Sequence, residues 1–386
     1  MKKLREHLLI GFGNPLLDIV ATVSNDLLSK YNLKRNDAIL ARQEHKTLYK
    51  DIREKFSATY TAGGSVQNTL RVCQWILQKP KIATIFGCVG KDNYAKILER
   101  RATEDGLNVR YQYTDNAPTG TCAVLITGDS RSLCAYLAAA SHFTLEHIQK
   151  PENRQLLQKA EYFYISGFFL TVSLPSAMEV ARHALKHNAT FMMNLSAPFV
   201  SQQFKEHLMS VMPYVCVLFG NKEEAETFAR EHNWDTKDVE EIGQRIASLP
   251  REDHKRERIV VITQSSQPVL LFQGNSIKDF PVQKLTPKQI VDTNGAGDAF
   301  VGGFLAQYII KKPLDVCVDC GIWAAAQIIQ QSGCTFKGKP TFRGKDFSAR
   351  AAPQIFTLRN PRNLARCASL AIQVRLPVVK STNGLS

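Results

Sequence analysis

From Tyr162 onward, short apolar runs alternate with longer segments of helical period. That alternation narrows the possible fold more than any other feature of the chain. Tyr162–Ile165, Phe191–Leu195, Val215–Phe219 and Ile259–Thr263 read as strands. Pro175–His187, Phe204–Val211, Lys222–Glu231 and Lys237–Leu249 read as the helices between them, and two long helices, Ala296–Ile310 and Leu314–Gln331, close the pattern. Parallel neighbours need a crossover, and the helix that makes it covers a face of the sheet. The expectation is an α/β fold: a mainly parallel sheet with helices on both faces.

The first third of the chain does not continue this pattern. His7–Gly13 reads as a short buried strand, and Ile19–Val23, Ala38–Ala41 and Ala123–Thr127 have strand character. The turn Gly128–Arg131 leads into Ser132–Ala138, which predicts a hairpin. Two helices are expected between these strands: Ser65–Leu77, with apolar Val66, Leu70, Cys73 and Leu77, and Asn93–Glu104, opened by Asp92 and stopped at Gly106. Strands of hairpin character outside a parallel sheet suggest a small β lid.

The 386 residues suffice for one large α/β domain with an appendage, or for two domains. No apolar run approaches membrane-spanning length, and the basic Met1–His7 is followed by too short an apolar stretch for a signal peptide, so no membrane insertion and a cytoplasmic or nuclear location are expected. The nine cysteines are odd in number and show no framework spacing, which predicts reduced thiols. Cys317-Val318-Asp319-Cys320 sits in an apolar helical pattern and reads as core rather than as metal or redox chemistry. Net charge is +14, but residues 343–386 carry eight basic side chains and one acidic, a net of +7. The remaining +7 suits an enzyme handling anionic nucleotides better than a nucleic-acid binder. The division expected is one α/β domain over 1–342, its lid drawn from parts of 16–60 and 108–140, followed by a basic, disordered tail over 343–386.

The chemistry concentrates at Val291-Asp292-Thr293-Asn294-Gly295-Ala296-Gly297-Asp298-Ala299-Phe300, the start of a buried helix. The first N–H groups of a helix point outward unpaired, and glycines at 295 and 297 leave them open to an anion. Asp298 among phosphate-binding N–H groups would repel the ligand unless it has a task. Taking a proton from an attacking hydroxyl is such a task. The plainer reading is a carboxylate placed favourably in a first helical turn. No Walker A loop is present: Gly333–Pro340 has its spacing but ends in Pro340, where Ser or Thr would face Mg²⁺.

This ten-residue string resembles the C-terminal signature of the ribokinase-like (PfkB) carbohydrate kinases. The resemblance continues over about residues 7–340 through Gly11–Asp18, Ala62–Asn68, Pro118–Cys122, Gly167–Ser173 and Asn194–Phe199, and within the family it is to the adenosine kinases. It implies a ribokinase-like fold with a β lid, and transfer of the ATP γ-phosphoryl group to the 5′-hydroxyl of adenosine by a monomeric enzyme. On the catalytic side it implies Asp298 as base, with Arg131 from the lid and the N–H groups of Gly295, Ala296 and Gly297 taking the phosphoryl charge. It implies ATP contacts at Asn194, Asn221, Thr263, Gln264, Gly295 and Gly297, and Mg²⁺ held through water by Asn221 and Glu224. For adenosine it implies Asn14 and Asp18, Gly63, Gly64, Ser65 and Asn68 around the ribose and base, and an apolar wall of Leu16, Leu40, Cys122, Leu133, Leu137, Phe169 and Phe199.

Each of these has a plainer reading: a turn carboxylate for Asp18, a hairpin-turn arginine for Arg131, an ordinary acidic helix start for Asn221–Glu224, core for the apolar set. The chain departs from the resemblance at Ala38, where adenosine kinases carry Gln, and at Ser265, where the family has Gly. Two other functions therefore remain open at this level: a kinase for another nucleoside or sugar, and a catalytically weak adenosine-binding relative.

Overall fold

The computed structural model describes residues 4–344 apart from Asn36 and Asp129. Its strands are β1 (Leu9–Phe12), β2 (Leu16–Thr22), β3 (Ala38–Leu40), β4 (Thr59–Gly63), β5 (Ala83–Gly90), β6 (Asn108–Thr114) and β7 (Thr121–Thr127). They continue as β8 (Ser130–Tyr136), β9 (Tyr162–Ser166), β10 (Thr190–Asn194), β11 (Val217–Asn221), β12 (Ile259–Gln264), β13 (Gln267–Gln273) and β14 (Ser276–Phe280). They sort into a nine-stranded sheet, in the order β14-β13-β12-β11-β10-β9-β1-β5-β6, and a five-stranded sheet, β3-β8-β7-β2-β4.

In the large sheet the pairs from β6 to β12 are all parallel, and only β13 and β14 run antiparallel at one edge. Both faces are covered, which is why its strands read as continuous apolar runs. Tyr162, Tyr164, Val217, Phe219 and Val261 pack with helices Ser65–Leu77, Asn93–Glu104 and Ala296–Tyr308 on one face. Their neighbours Phe163, Ile165, Leu218, Val260 and Ile262 pack with helices Leu174–Lys186, Lys205–Val211, Lys222–Glu231 and Val239–Ala247 on the other.

Local signals explain several boundaries. The Asp92 side chain accepts from the Ala95 N–H at 2.9 Å and starts Asn93–Glu104. Gly106, at φ +86°, turns the chain out of that helix.

The small sheet is the expected lid. β7 and β8 form the predicted antiparallel hairpin, and β2 pairs with β7 in parallel. Ile19, Ala21, Ala123 and Leu125 face helices Asn25–Lys30 and Leu48–Lys55. Residues of the opposite parity, Leu16, Val20, Cys122 and Val124, form a second apolar face.

Three features differ from the sequence reading. β5 was not anticipated, although it is buried throughout and lies beside β1; without polar alternation it gives no period to read. Asn108–Thr114, within the 108–140 range from parts of which the lid was expected, is the edge of the large sheet, so the second lid segment begins at Thr121. The first lid segment runs past residue 60 to Gly63, the end of β4. The expected tail over 343–386 lies, from residue 345 on, outside the described residues.

Candidate active site

The order of the large sheet decides where a ligand can sit. From β1 the chain moves outward to β5 and β6, then returns to the other side of β1 with β9 and proceeds away to β12. Crossovers leave opposite faces at β1 and β9, and such a switch point opens a crevice at the carboxyl ends of the strands. Asn14 follows β1 and Phe168 follows β9, and the Asn14 amide nitrogen donates across the gap to the Phe168 carbonyl at 3.3 Å. Asn14 Oδ1 is buried with no partner among the described residues, an acceptor left for a ligand. Asn194 ends β10 and Asn221 ends β11 on the same side.

A cleft of roughly 420 Å³ occupies this crevice, roofed by the second face of the lid and closed at its far end by the Gly295–Asp298 helix start. Asn14, Asp18, Asn68, Arg131, Asn194, Asn221, Glu224 and Gly295–Asp298 all line it. So do Leu16, Leu40, Gly64, Ser65, Cys122, Leu133, Leu137 and Phe199, as well as Ala38, Ser166, Phe168, Ser196 and Asn294, which were not assigned to the site.

Gly295 adopts φ +76°, the left-handed turn that starts Ala296–Tyr308. Its missing side chain also leaves room for Cys334, whose Cβ would lie 2.9 Å from one at 295. At Gly297 a Cβ would meet nothing within 4 Å, so the space beside that N–H is open. Asp298 follows, half-buried, with Ser65 Oγ donating to Oδ1 at 2.7 Å and Asn68 Nδ2 donating to Oδ2 at 3.1 Å. Burial pushes its pKa up to about 6, while the two hydrogen bonds hold it down. A carboxyl poised near neutrality, oriented by two donors, has the properties of a general base.

Asp18 also lines the cleft, 8% exposed, with its pKa raised to about 8 by burial first and then by the charge of Asp298. A Cβ on Gly63 would collide with its carboxylate, and one on Gly64 with the Asn14 carbonyl. The two glycines thus make room for the protein's own groups, and Gly64 also lines the cleft. Gly63 itself lies behind Asp18 and not on the cleft wall.

Arg131, in the β7–β8 hairpin, reaches across to the helix-start loop. Its Nε donates to Asp292 Oδ1 at 3.1 Å and its Nη2 to the Val291 carbonyl at 2.7 Å. Asp292 also accepts from the N–H groups of Asn294 at 2.8 Å and Gly333 at 2.9 Å. It therefore ties lid, anion loop and C-terminal segment together, a role the sequence reading did not give it. The signal was present: a carboxylate six residues before Asp298 in a loop rich in backbone donors.

Asn221 and Glu224 form a capping box on Lys222–Glu231. Asn221 Nδ2 donates to Glu224 Oε1 at 2.8 Å, and its backbone N–H to Oε2 at 3.0 Å. Burial raises the Glu224 pKa to about 7. No three His, Cys, Asp or Glu side chains converge on a metal position among the described residues.

Three further assigned residues, Phe169, Thr263 and Gln264, do not line the cleft either. Phe169 is fully buried against Phe12 and Phe143; successive residues of the short helix Gly167–Leu170 diverge, so its neighbour Phe168 faces the cleft, stacked 5.9 Å from Phe199. Thr263 pairs with Asn221 in the sheet, and Gln264 donates to the Pro268 carbonyl and lines a neighbouring groove with Lys222 and Lys237. Ser265, at φ +54°, is exposed on the β12–β13 turn and does not line the cleft. The C-x-x-C pair is buried, with both thiols pushed upward by burial, as structural cysteines are. No described helix is long and apolar enough to cross a membrane.

A helix start with open N–H groups and a poised carboxylate, set at the switch point of a parallel sheet under a β lid, defines a kinase of the ribokinase-like class. The pattern of the pfkB family carbohydrate kinases matches residues 25–341, and the chain belongs to that family. Its relatives place it in the adenosine kinase branch. It is 46% identical to adenosine kinase 2 of Arabidopsis thaliana over 87% of this chain and 98% of that one. The Anopheles gambiae adenosine kinase, crystallised with P1,P4-di(adenosine-5) tetraphosphate, is 59% identical with a TM-score of 0.86, covering 88% of this chain and 100% of that one. The Schistosoma mansoni adenosine kinase, solved with adenosine in an occluded loop conformation, is 37% identical with a TM-score of 0.83, covering 87% and 98%.

Proposed function

We propose that this chain transfers the γ-phosphoryl group of ATP to the 5′-hydroxyl of adenosine, giving AMP and ADP, with Asp298 as the general base. The observation that carries the reading is the placement of Asp298. Its carboxylate is fixed by Ser65 and Asn68, pushed up to about 6 by burial, and set in the helix turn whose N–H groups would bind the phosphoryl group. Substrate preference is supported by the adenosine kinases that the chain resembles over nearly their whole length.

Asp18 would accept from the two vicinal ribose hydroxyls, which places the 5′-hydroxyl toward Asp298. The base would lie between the Phe168–Phe199 side and the lid face of Leu16, Cys122, Leu133 and Leu137, with Asn14 Oδ1 accepting from an exocyclic amine. As the hydroxyl attacks, Asp298 takes its proton, and the N–H groups of Gly295, Ala296 and Gly297 with Arg131 meet the growing charge on the transferred group. Mg²⁺ fits the donor set only as a sparsely ligated ion, since Asn221 satisfies both Glu224 oxygens: ATP oxygens would hold it directly, and Asn221 and Glu224 through water. When bound it would supply charge neutralisation at the phosphates. A closed lid would exclude competing water. Residues 1–342 act as one monomeric kinase unit in the cytoplasm, with 343–386 dispensable for the reaction.

The test is Asp298→Asn, which keeps shape and removes the base. General-base catalysis contributes roughly 10²–10⁴ in rate. Turnover with Mg-ATP should fall by that order while calorimetry shows adenosine still bound; near wild-type turnover at neutral pH would remove Asp298 from the role.

A further inference from the structure

We propose that Arg71 is a positioning residue for phosphoryl transfer: it holds the Asn68 amide in the one orientation that donates to Asp298. Arg71 lies on the helix Ser65–Leu77, one turn beyond Asn68, and is 6% exposed. Nothing in the sequence distinguishes it from a surface residue beside the apolar stripe of Leu70 and Cys73.

The two ends of an asparagine amide have nearly the same shape, so packing alone does not choose between its orientations. Hydrogen bonding does. A guanidinium has only donors and an ionised carboxylate only acceptors. Arg71 Nη1 donates to Asn68 Oδ1 at 3.3 Å, which turns Nδ2 toward Asp298 Oδ2 at 3.1 Å. With the amide reversed, both contacts become repulsive.

The guanidinium is itself pinned. Its Nε donates to Asp105 Oδ2 at 2.5 Å, and its Cζ lies 5.6 Å from the centre of the Phe336 ring. The same Nη1 reaches the Ala62 carbonyl at 3.5 Å and the Cys334 carbonyl at 3.3 Å. Ala62 precedes Gly63, against which Asp18 rests, and Cys334 packs behind Gly295. One buried cation thus joins the backing of the ribose carboxylate, the donor to the base and the support of the anion loop. Its field also favours the ionised form of Asp18. A lysine would keep the charge but is a point donor without a fork to span these acceptors.

The inference rests on Asp298 acting as the base, so Asp298→Asn is measured alongside. The experiment compares full-length Arg71→Met, Arg71→Lys, Asn68→Ala and the Asn68→Ala/Arg71→Met double variant. The readouts are kcat and KM across pH, and thermal melting. Arg71→Met should lower kcat about tenfold, the order expected when a charge-held hydrogen bond is lost, and move the acid limb of the kcat profile to higher pH. In the Asn68→Ala background the same substitution should change kcat less than twofold, because the amide through which it acts is gone. A wild-type kcat and acid limb in Arg71→Met would overturn the proposal, as would losses that multiply in the double variant. If Arg71→Met does not fold, Arg71→Lys with and without Asn68→Ala decides by the same comparison. Should Asp298→Asn retain turnover, the base assignment itself fails; if that variant is inactive and Arg71 shows no coupling, only the role of Arg71 fails.

Discussion

Asp18, Asp298 and Glu224 bring three carboxyls to one cleft, two of them buried and Asp298 half-buried, and desolvation holds each above its ordinary value. The folded, ligand-free protein therefore keeps protons that the unfolded chain has shed. For a carboxyl with a raised folded pKa, the stabilising effect of the proton is complete below the unfolded value of 3.8 and is lost as pH rises through the folded value, about 8 for Asp18. The contribution of these carboxyls to stability should fall from about pH 4 to about pH 8, against the opposite trend from His7, His147, His183 and His232, which desolvation favours as neutral imidazoles. Asp18→Asn should flatten that decline and raise the melting temperature at pH 8, although it removes the proposed contact to the ribose. The same variant should weaken adenosine binding by one to two orders of magnitude, since hydrogen bonds to a charged acceptor contribute about 1.5–3 kcal/mol each. Calorimetric titration with adenosine, beside thermal melts at pH 5 and pH 8, tests both halves. A variant that melts lower than wild type at pH 8 would refute the strain assigned to this carboxylate. The turnover of the wild type should fall as pH drops through about 6, where Asp298 takes up its proton.

Glycines at the start of Ala296–Tyr308 do two different jobs, and substitution separates them. Gly295 needs its positive φ and the space taken by Cys334, so alanine there strains the free protein. Gly297 has helical φ and open space, so Gly297→Ala should leave the melting temperature unchanged or slightly higher. Its methyl would stand where the phosphoryl oxygens are proposed to bind, so KM for ATP should rise and kcat fall. An unaltered KM and kcat would mean that the anion lies elsewhere. At the opposite end of the sheet, Arg258 is fully buried and donates to the carbonyls of Val215, Ile246, Leu249, Met212 and Pro250. These include Ile246 in the last turn of the helix Val239–Ala247, whose carbonyl also accepts from the Leu249 N–H at 3.2 Å. Arg258→Met should cost about 3–5 kcal/mol by leaving buried acceptors unmet, readable as a lower denaturant midpoint. The cleft lies at the other edge of these strands, so the folded fraction should keep its KM.

At the scale of the molecule, the segment after Ile328 closes the fold against the helices that carry the site. Trp75 stacks on Trp323 and on Phe336, its Nε1 donates to the Gly338 carbonyl at 2.8 Å, and Phe342 lies 5.6 Å from Trp323. A chain cut after Phe342 keeps all of these contacts and should retain turnover and melting temperature. A chain cut after Ser332 loses Cys334 behind Gly295 and the Phe336 face of Arg71, and should lose both. Activity and melting of the two truncations give the answer; a cut after Phe342 that abolishes activity would place residues 343–386 within the working enzyme.

Much of this was legible in the linear chain, and the reason is local. Helix periods, caps and the Gly-x-Gly-Asp start depend on neighbours within a turn, so Ser65–Leu77, Asn93–Glu104 and Lys222–Glu231 emerged with the boundaries read from the sequence. The strand–helix alternation determined a parallel sheet. Most of the polar cleft residues were legible as well, because their motifs are contiguous. What tertiary structure alone decided is set by contacts between distant segments. β5 was silent because a strand buried on both faces has no alternation. Phe168 and Phe169 exchange roles through one residue's rotation in a short helix. Asp292 and Arg71 gain their meaning from partners 161 and 263 residues away, Arg131 and Cys334, and no periodicity along the chain records such a separation.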